Sequence, residues 1–248
     1  MRCPDGVEKP GFFQRHAGPG LPKDIRRVPI ADKDGKPVEY LSIATRAGVL
    51  AAAQFDVLEF HIWGVHIDDG NRPDRIVFDL DPDLSVAFPT MREAADHVRS
   101  ALDALGLVSF TLLTGGNGVH VVAPVTRQHP WPIVKEFARA LAERFATEVP
   151  ELYVATMSKA RRKGRIFIDH FCNESSASAI APYSPRARAG APVAWPMTWQ
   201  ELATVNAADA VSLTAALQRL TEPDPWDGYD AVRQILTAAA LRSLGVAR

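Results

Sequence analysis

The stretch "RIVFDLDPD" (Arg75–Asp83) decides the reading of this chain. Ile76, Val77 and Phe78 predict a buried strand, which then delivers Asp79, Asp81 and Asp83 within five positions. Residues i and i+2 of a strand face one side, about 6.5–7 Å apart, so Asp79 and Asp81 project together. Two anions at that spacing repel unless positive charge lies between them. A pair of divalent ions, typically about 3.5–4 Å apart, fits such a gap. Pro82 cannot donate to a ladder and ends the strand.

Three readings of the acidic end compete. Asp83 could form an Asx turn with Ser85. The D-x-D could belong to a phosphoaspartyl hydrolase of the haloacid-dehalogenase type, although that motif usually has Thr where this chain has Asp83. A two-metal nucleotidyl-transfer site is the third reading, and it wants another carboxylate from a separate strand. Asp169 in "GRIFIDHF" is the candidate, emerging from Ile166, Phe167 and Ile168. An acid there is costly unless metal-bound or paired, and a salt bridge to a nearby arginine is the rival.

In "LLTGGNGVHVVAPV" (112–125), two apolar strands flank Gly115, Gly116, Asn117 and Gly118. Such a turn permits positive φ and exposes backbone N–H groups as a cradle for phosphate. Thr114 adds a hydroxyl, and His120 a ring that could donate to a phosphate oxygen. A plain hairpin turn with a surface histidine is the alternative. Two basic segments follow, "SKARRKGR" (158–165) and "YSPRARAG" (183–190). If the second is extended, Arg186 and Arg188 face one side and can grip a triphosphate bidentately.

The bulk properties are those of an ordinary globular protein. The 248 residues are 47% hydrophobic and 23% charged, enough for one large core or two joined lobes. No apolar run approaches the ~18 residues of a membrane span, and the N-terminus lacks a signal-peptide core, so a cytoplasmic setting is expected. Cys3 and Cys172 make neither a disulfide framework nor a four-cysteine zinc site. Net charge is −1, but it is segregated: residues 56–106 hold 11 acids and 4 bases, residues 158–190 hold 7 bases and 2 acids. That split suits a site joining metal to polyphosphate, or simply two solvated faces.

"VPIADKDGKPVEYLSI" reads as a hairpin turning at Asp34-Gly35, and "RAGVLAAAQF" as a short helix. "EFHIWGVHI", "SFTLL", "VHVVAPV" and "RIFIDHF" read as strands. "FPTMREAADHVRSALDALG" predicts a helix opened by a Thr90–Glu93 capping box and closed at Gly106, with an apolar stripe from Met91 to Leu105. "WPIVKEFARALAERFATEV" predicts a second helix, and the chain turns mainly helical after residue 198. The expectation is an α/β (α+β) fold with a central, mainly antiparallel sheet region flanked by helices, in one domain over 1–248.

In order and spacing, "RCPDGVEKPGFFQRH", "FHIWGVHIDD", "PDRIVFDLDPD", "TGGNGVHVVAPV", "KGRIFIDHF" and "APYSPRARAGAPVAWPMTW" resemble the archaeo-eukaryotic primase superfamily. The match is closer to the polymerase domain of bacterial DNA ligase D and its stand-alone relatives. The resemblance implies a template-directed primer extender that uses two Mn²⁺ or Mg²⁺ ions and favours ribonucleotides. Asp79, Asp81 and Asp169 match the metal-binding acids. His61, Thr114, Gly116, Asn117, Gly118, His120, Arg162, Arg186 and Arg188 match nucleotide-binding positions. Phe12 and Phe13 match an aromatic pair that packs on DNA, with Lys159 and Arg161 as further DNA contacts. Implied partners are primer-template or gapped DNA, NTP or dNTP, a separate DNA ligase and a Ku-type end-binding protein, near the nucleoid and not at a membrane.

The chain departs from the family pattern in three places. Asn117 stands where a lysine is common, which removes one phosphate-binding charge. His170 follows the third acid where the family commonly has tyrosine, a change that bears on sugar selectivity. The first motif begins so early that the family's basic pocket for a 5′-phosphate is expected to lie outside this chain. The alternatives from other classes are a non-catalytic DNA-end-binding module and a metal-dependent phosphohydrolase.

Overall fold

The computed structural model describes residues 1–31 and 36–246. A hairpin, β1 (Arg26–Ala31) and β2 (Pro37–Ser42), precedes helix α1 (Arg46–Gln54) and the short strand β3 (His61–Ile62). The expected Asp34-Gly35 turn lies outside the described residues. The central strands and helices follow: β4 (Arg75–Pro82), α2 (Phe88–Ala104), β5 (Phe110–Leu113), β6 (Val119–Pro124), α3 (Trp131–Glu148), β7 (Tyr153–Val154) and β8 (Ile166–Asp169). Last come β9 (Ala179–Ile180), β10 (Trp195–Met197), α4 (Trp199–Leu202), α5 (Leu213–Arg219) and α6 (Ala238–Ser243).

The described residues form a six-stranded sheet in the order β10-β5-β6-β4-β8-β7. Its pairs are antiparallel except β7–β8. β3 pairs separately with β9. The mixed fold with a mainly antiparallel sheet and flanking helices is therefore present.

Strand periodicity places the core. Ile76, Phe78 and Leu80 of β4, Val119, Val121 and Ala123 of β6, and Ile166 and Ile168 of β8 are buried together. Against them pack Met91, Ala94, Ala95, Val98 and Leu102 of α2 and Val134, Phe137, Leu141 and Phe145 of α3. Burying one such aliphatic or aromatic side chain stabilises by about 1.5–3 kcal/mol, so this face anchors the sheet.

Local chemistry corrects two expectations. α2 starts at Phe88, with Ala87 as its cap residue and no side-chain cap, because Pro89 sits in the first turn and fixes the entry. Thr90 therefore lies inside the helix. The capping box belongs instead to α4, where Thr198 and Glu201 satisfy each other's backbone N–H groups. "EFHIWGVHI" supplies only the two residues of β3, because β9 offers it a partner over just Ala179–Ile180. Gly106 does end α2, at φ +77°.

Candidate active site

With Ile76, Phe78 and Leu80 turned to the helices, Val77, Asp79 and Asp81 face the opposite side of the sheet. Asp79 is the register partner of His120 on β6 and of Asp169 on β8, and Asp81 is that of Phe167. All these side chains share one face. His120 is buried, with Nε2 3.3 Å from Asp79 Oδ2, so it is no surface histidine. Asp83 takes another role. Its Oδ1 accepts from the Ser85 amide (3.1 Å) and hydroxyl (2.6 Å), forming the Asx turn that follows the strand.

The three site-facing acids strain against one another. Burial, then the charges of Asp79 and Asp169, push the Asp81 carboxyl up to about 7. Burial also raises Asp169, opposed by the Phe171 N–H that donates to its Oδ1 at 2.7 Å. Asp79 Oδ1 is buried with no hydrogen-bond partner among the described residues. A hard divalent cation would answer all three conditions, since it takes carboxylate oxygens and removes their repulsion. Among the described residues, no three His, Cys, Asp or Glu side chains already converge closely enough to hold an ion. The acids share one face of the sheet.

The glycine turn joins β5 to β6. Its amides do not form the expected open cradle. Gly116 and Gly118 donate to Thr114 Oγ1 at 3.2 and 3.3 Å, Gly115 donates to Ala208 O at 3.1 Å, and the Thr114 hydroxyl donates to Gly118 O at 2.9 Å. Thr114 thus stabilises the turn from within. The glycines serve close approach. A Cβ on Gly116 would lie 3.4 Å from both Arg186 Nη1 and Arg188 Cζ. A Cβ on Gly118 would lie 2.5 Å from Leu80 O and 3.3 and 3.4 Å from Oδ1 of Asp79 and Asp81. The turn is therefore wedged between the arginine pair and the acid pair.

Both arginines grip this turn. Arg186 Nη1 donates to Thr114 O at 2.6 Å and Arg188 Nη1 to Asn117 Oδ1 at 3.2 Å. On the far side, the Arg162 guanidinium lies 3.7 Å from the centre of the Phe167 ring, beside Asp81 in the ladder. Lys159 and Arg161 are exposed on the 3-10 turn Lys159–Arg161 leading to β8. Phe12 and Phe13 are exposed, and Phe13 stands edge-on to His61 with ring centres 4.9 Å apart. His170 points away from the site, its charged neighbours being Glu143, Arg139 and Lys135 of α3, and burial lowers its pKa.

Two residues here were not singled out by sequence. Glu59, 4% exposed, accepts from His61, Arg186 and the Ala187 amide. The alternation Glu59-Phe60-His61, which puts acid and imidazole on one side of an extended segment, was its available signal. Asn173 replaces a ladder partner. Its Oδ1 accepts from Val77 N–H at 2.8 Å and its Nδ2 donates to Val77 O and His170 O. Nothing in the sequence marks that carboxamide.

Comparison with known proteins identifies the family of the chain. The family model "LigD, primase-polymerase domain" matches residues 1–226. The multifunctional non-homologous end joining protein LigD of Pseudomonas aeruginosa is 38% identical over 249 residues, covering 99% of this chain and 29% of that protein. The bifunctional LigD of Bacillus subtilis is 27% identical, covering 88% of this chain and 34% of that protein. This chain thus spans about a third of the length of these relatives. The solved polymerase domain of Mycobacterium tuberculosis ligase D, in complex with DNA, superposes with a TM-score of 0.81 at 30% identity, covering 93% of this chain and 83% of that one.

Proposed function

The chain belongs to the LigD primase-polymerase domain family, and from that premise we propose that residues 1–248 form one catalytic domain that extends a primer on a DNA template during repair of broken ends. The observation that carries this reading is the wedge. Two carboxylates, Asp79 and Asp81, and two arginines approach one glycine turn from opposite sides, with Asp169 the register partner of Asp79, the layout needed to hold metal and triphosphate together.

In this reading the primer 3′-hydroxyl attacks the α-phosphorus of a nucleoside triphosphate. The new P–O bond forms as the bond to the β-phosphate bridging oxygen breaks, and pyrophosphate leaves. Asp79, Asp81 and Asp169 would hold divalent metal, which when bound neutralises the phosphate charge and eases deprotonation of the hydroxyl. Arg186, Arg188, His61 and Arg162 bind the triphosphate. Thr114, Gly116, Asn117 and Gly118 set the turn beside it, and His120 orients Asp79. Phe12 and Phe13 stack on DNA, where each base is worth about 1–3 kcal/mol, and Lys159 and Arg161 meet its phosphates. Family likeness supports two Mn²⁺ ions, a preference for ribonucleotides, and work beside a DNA ligase and a Ku-type end-binding protein near the nucleoid. No described helix is long and apolar enough to cross a membrane.

Incubation with primer-template, Mn²⁺ and labelled nucleotide tests the reading. Template-dependent extension supports it. DNA retention without extension marks a binding module, and phosphate release without DNA marks a phosphohydrolase.

A further inference from the structure

We infer that Glu59 is the positioning residue of the triphosphate half of the site, holding His61 and Arg186 in fixed register with one another. The inference rests on the polymerase reading of the same site.

Glu59 lies just before β3, almost wholly enclosed. Its Oε2 meets His61 Nε2 at 2.9 Å. Its Oε1 accepts from Arg186 Nε at 3.1 Å and from the Ala187 N–H at 2.8 Å. One carboxylate therefore ties a side chain of β3 to a guanidinium and to the backbone between Arg186 and Arg188. Burial works against its ionisation, but His61, the Ala187 amide and Arg186 together hold the carboxyl at about 2. It stays an anion throughout the working range.

The way Arg186 is held shows what this anion does. Glu59 takes Nε and Thr114 O takes Nη1, which fixes the plane of the guanidinium. Nη2 has no partner among the described residues and remains for a ligand. His61 is likewise held through Nε2, so its other ring nitrogen is the one left over. Glu59 thus sits behind two groups that present their free atoms outward, and it never needs to meet a phosphate itself. Phe13, edge-on to His61, extends this arrangement toward the exposed aromatic pair.

The competing view is a buried ion pair that serves only the fold. Glu59→Gln keeps the volume and removes the charge. With wild-type extension established on the same primer-template, the variant is expected to raise the nucleotide KM about tenfold or more while primer-template affinity stays within about twofold. Added to Arg186→Ala, it should change KM little further, because both substitutions undo one arrangement. A lowered melting temperature with wild-type KM overturns the inference, as do fully additive KM effects. Should Glu59→Gln not fold, Glu59→Asp is read instead. It is one methylene too short to serve all three partners, so a raised KM supports the role and a wild-type KM overturns it. Failure of the wild-type protein to extend primers sinks the polymerase reading separately.

Discussion

Asp79 and Asp169 are direct register partners across antiparallel strands β4 and β8, both on the face turned away from the helices. Among the described residues neither acid has a lysine or arginine bonded to it, and the His120 ring lies 3.3 Å from Asp79. Asp79→Ala or Asp169→Ala should therefore remove extension, by about a thousandfold or more if several kcal/mol of metal-borne stabilisation is lost. The fold should survive, since removing a crowded anion relieves repulsion. Primer extension in Mn²⁺ alongside thermal melting checks both halves. Wild-type extension by either variant would falsify the assignment of these acids.

The raised Asp81 carboxyl gives a pH signature to the metal-free protein. An unfolded aspartate titrates near about 3.9, and the folded one at about 7. Between those values the folded state holds the extra proton, so stability falls as pH rises through the window and levels off above it. In chelator, the melting temperature should drop from about pH 5 to pH 8, and Asp81→Asn should flatten that fall. Each kcal/mol of relieved repulsion corresponds to about 2–4 °C. Divalent metal should bind more tightly at the higher pH, because it displaces that proton. Calorimetry at both pH values reads this out, and a flat wild-type profile counts against it.

Arg186→Ala should weaken nucleotide binding about tenfold to a hundredfold, the range of a lost charged hydrogen bond of about 1.5–3 kcal/mol. Lysine should restore only part, lacking the planar fork. If Arg186 served the DNA backbone instead, its loss would reduce DNA affinity and its salt dependence and leave nucleotide affinity intact at saturating DNA. Separate titrations of nucleotide and DNA distinguish the two.

Gly118→Ala should damage activity beyond its effect on stability. The new methyl would stand 2.5 Å from the Leu80 carbonyl oxygen and against both acids, so β4 or β6 must move. Gly106→Ala is the control. It meets nothing within 4 Å and carries only its positive φ, so it should lower stability by about 1 kcal/mol and leave KM unchanged. Equal losses of activity in the two variants would contradict the wedge.

The sheet was legible because its strands carry strong local signals. β-branched runs, Pro82 and Gly106 each act within a few residues, and the alternation in "RIVFDLDPD" already separated core from site. The start of α2 was misread because Thr90–Glu93 satisfies the capping pattern while Pro89 fixes the entry earlier. The glycine turn looked like an amide cradle because glycine content says nothing about where each N–H goes. Only the three-dimensional closure through Thr114 settles that. Glu59 escaped notice for a similar reason, since its partner Arg186 lies far along the chain and comes near only through folding.

The two-residue rhythm of β4 ties assembly of the catalytic face to assembly of the core. A slip of one residue against β6 or β8 would carry Asp79 and Asp81 into the hydrocarbon interior and turn Ile76, Phe78 and Leu80 outward. No partly ordered form can thus bury its apolar side correctly while misplacing the acids on that strand. For mutational drift the same rhythm acts as a partition. Point changes at Asp79 or Asp81 can rewrite the chemistry with the interior left whole, whereas a single-codon deletion within the strand erases both at once.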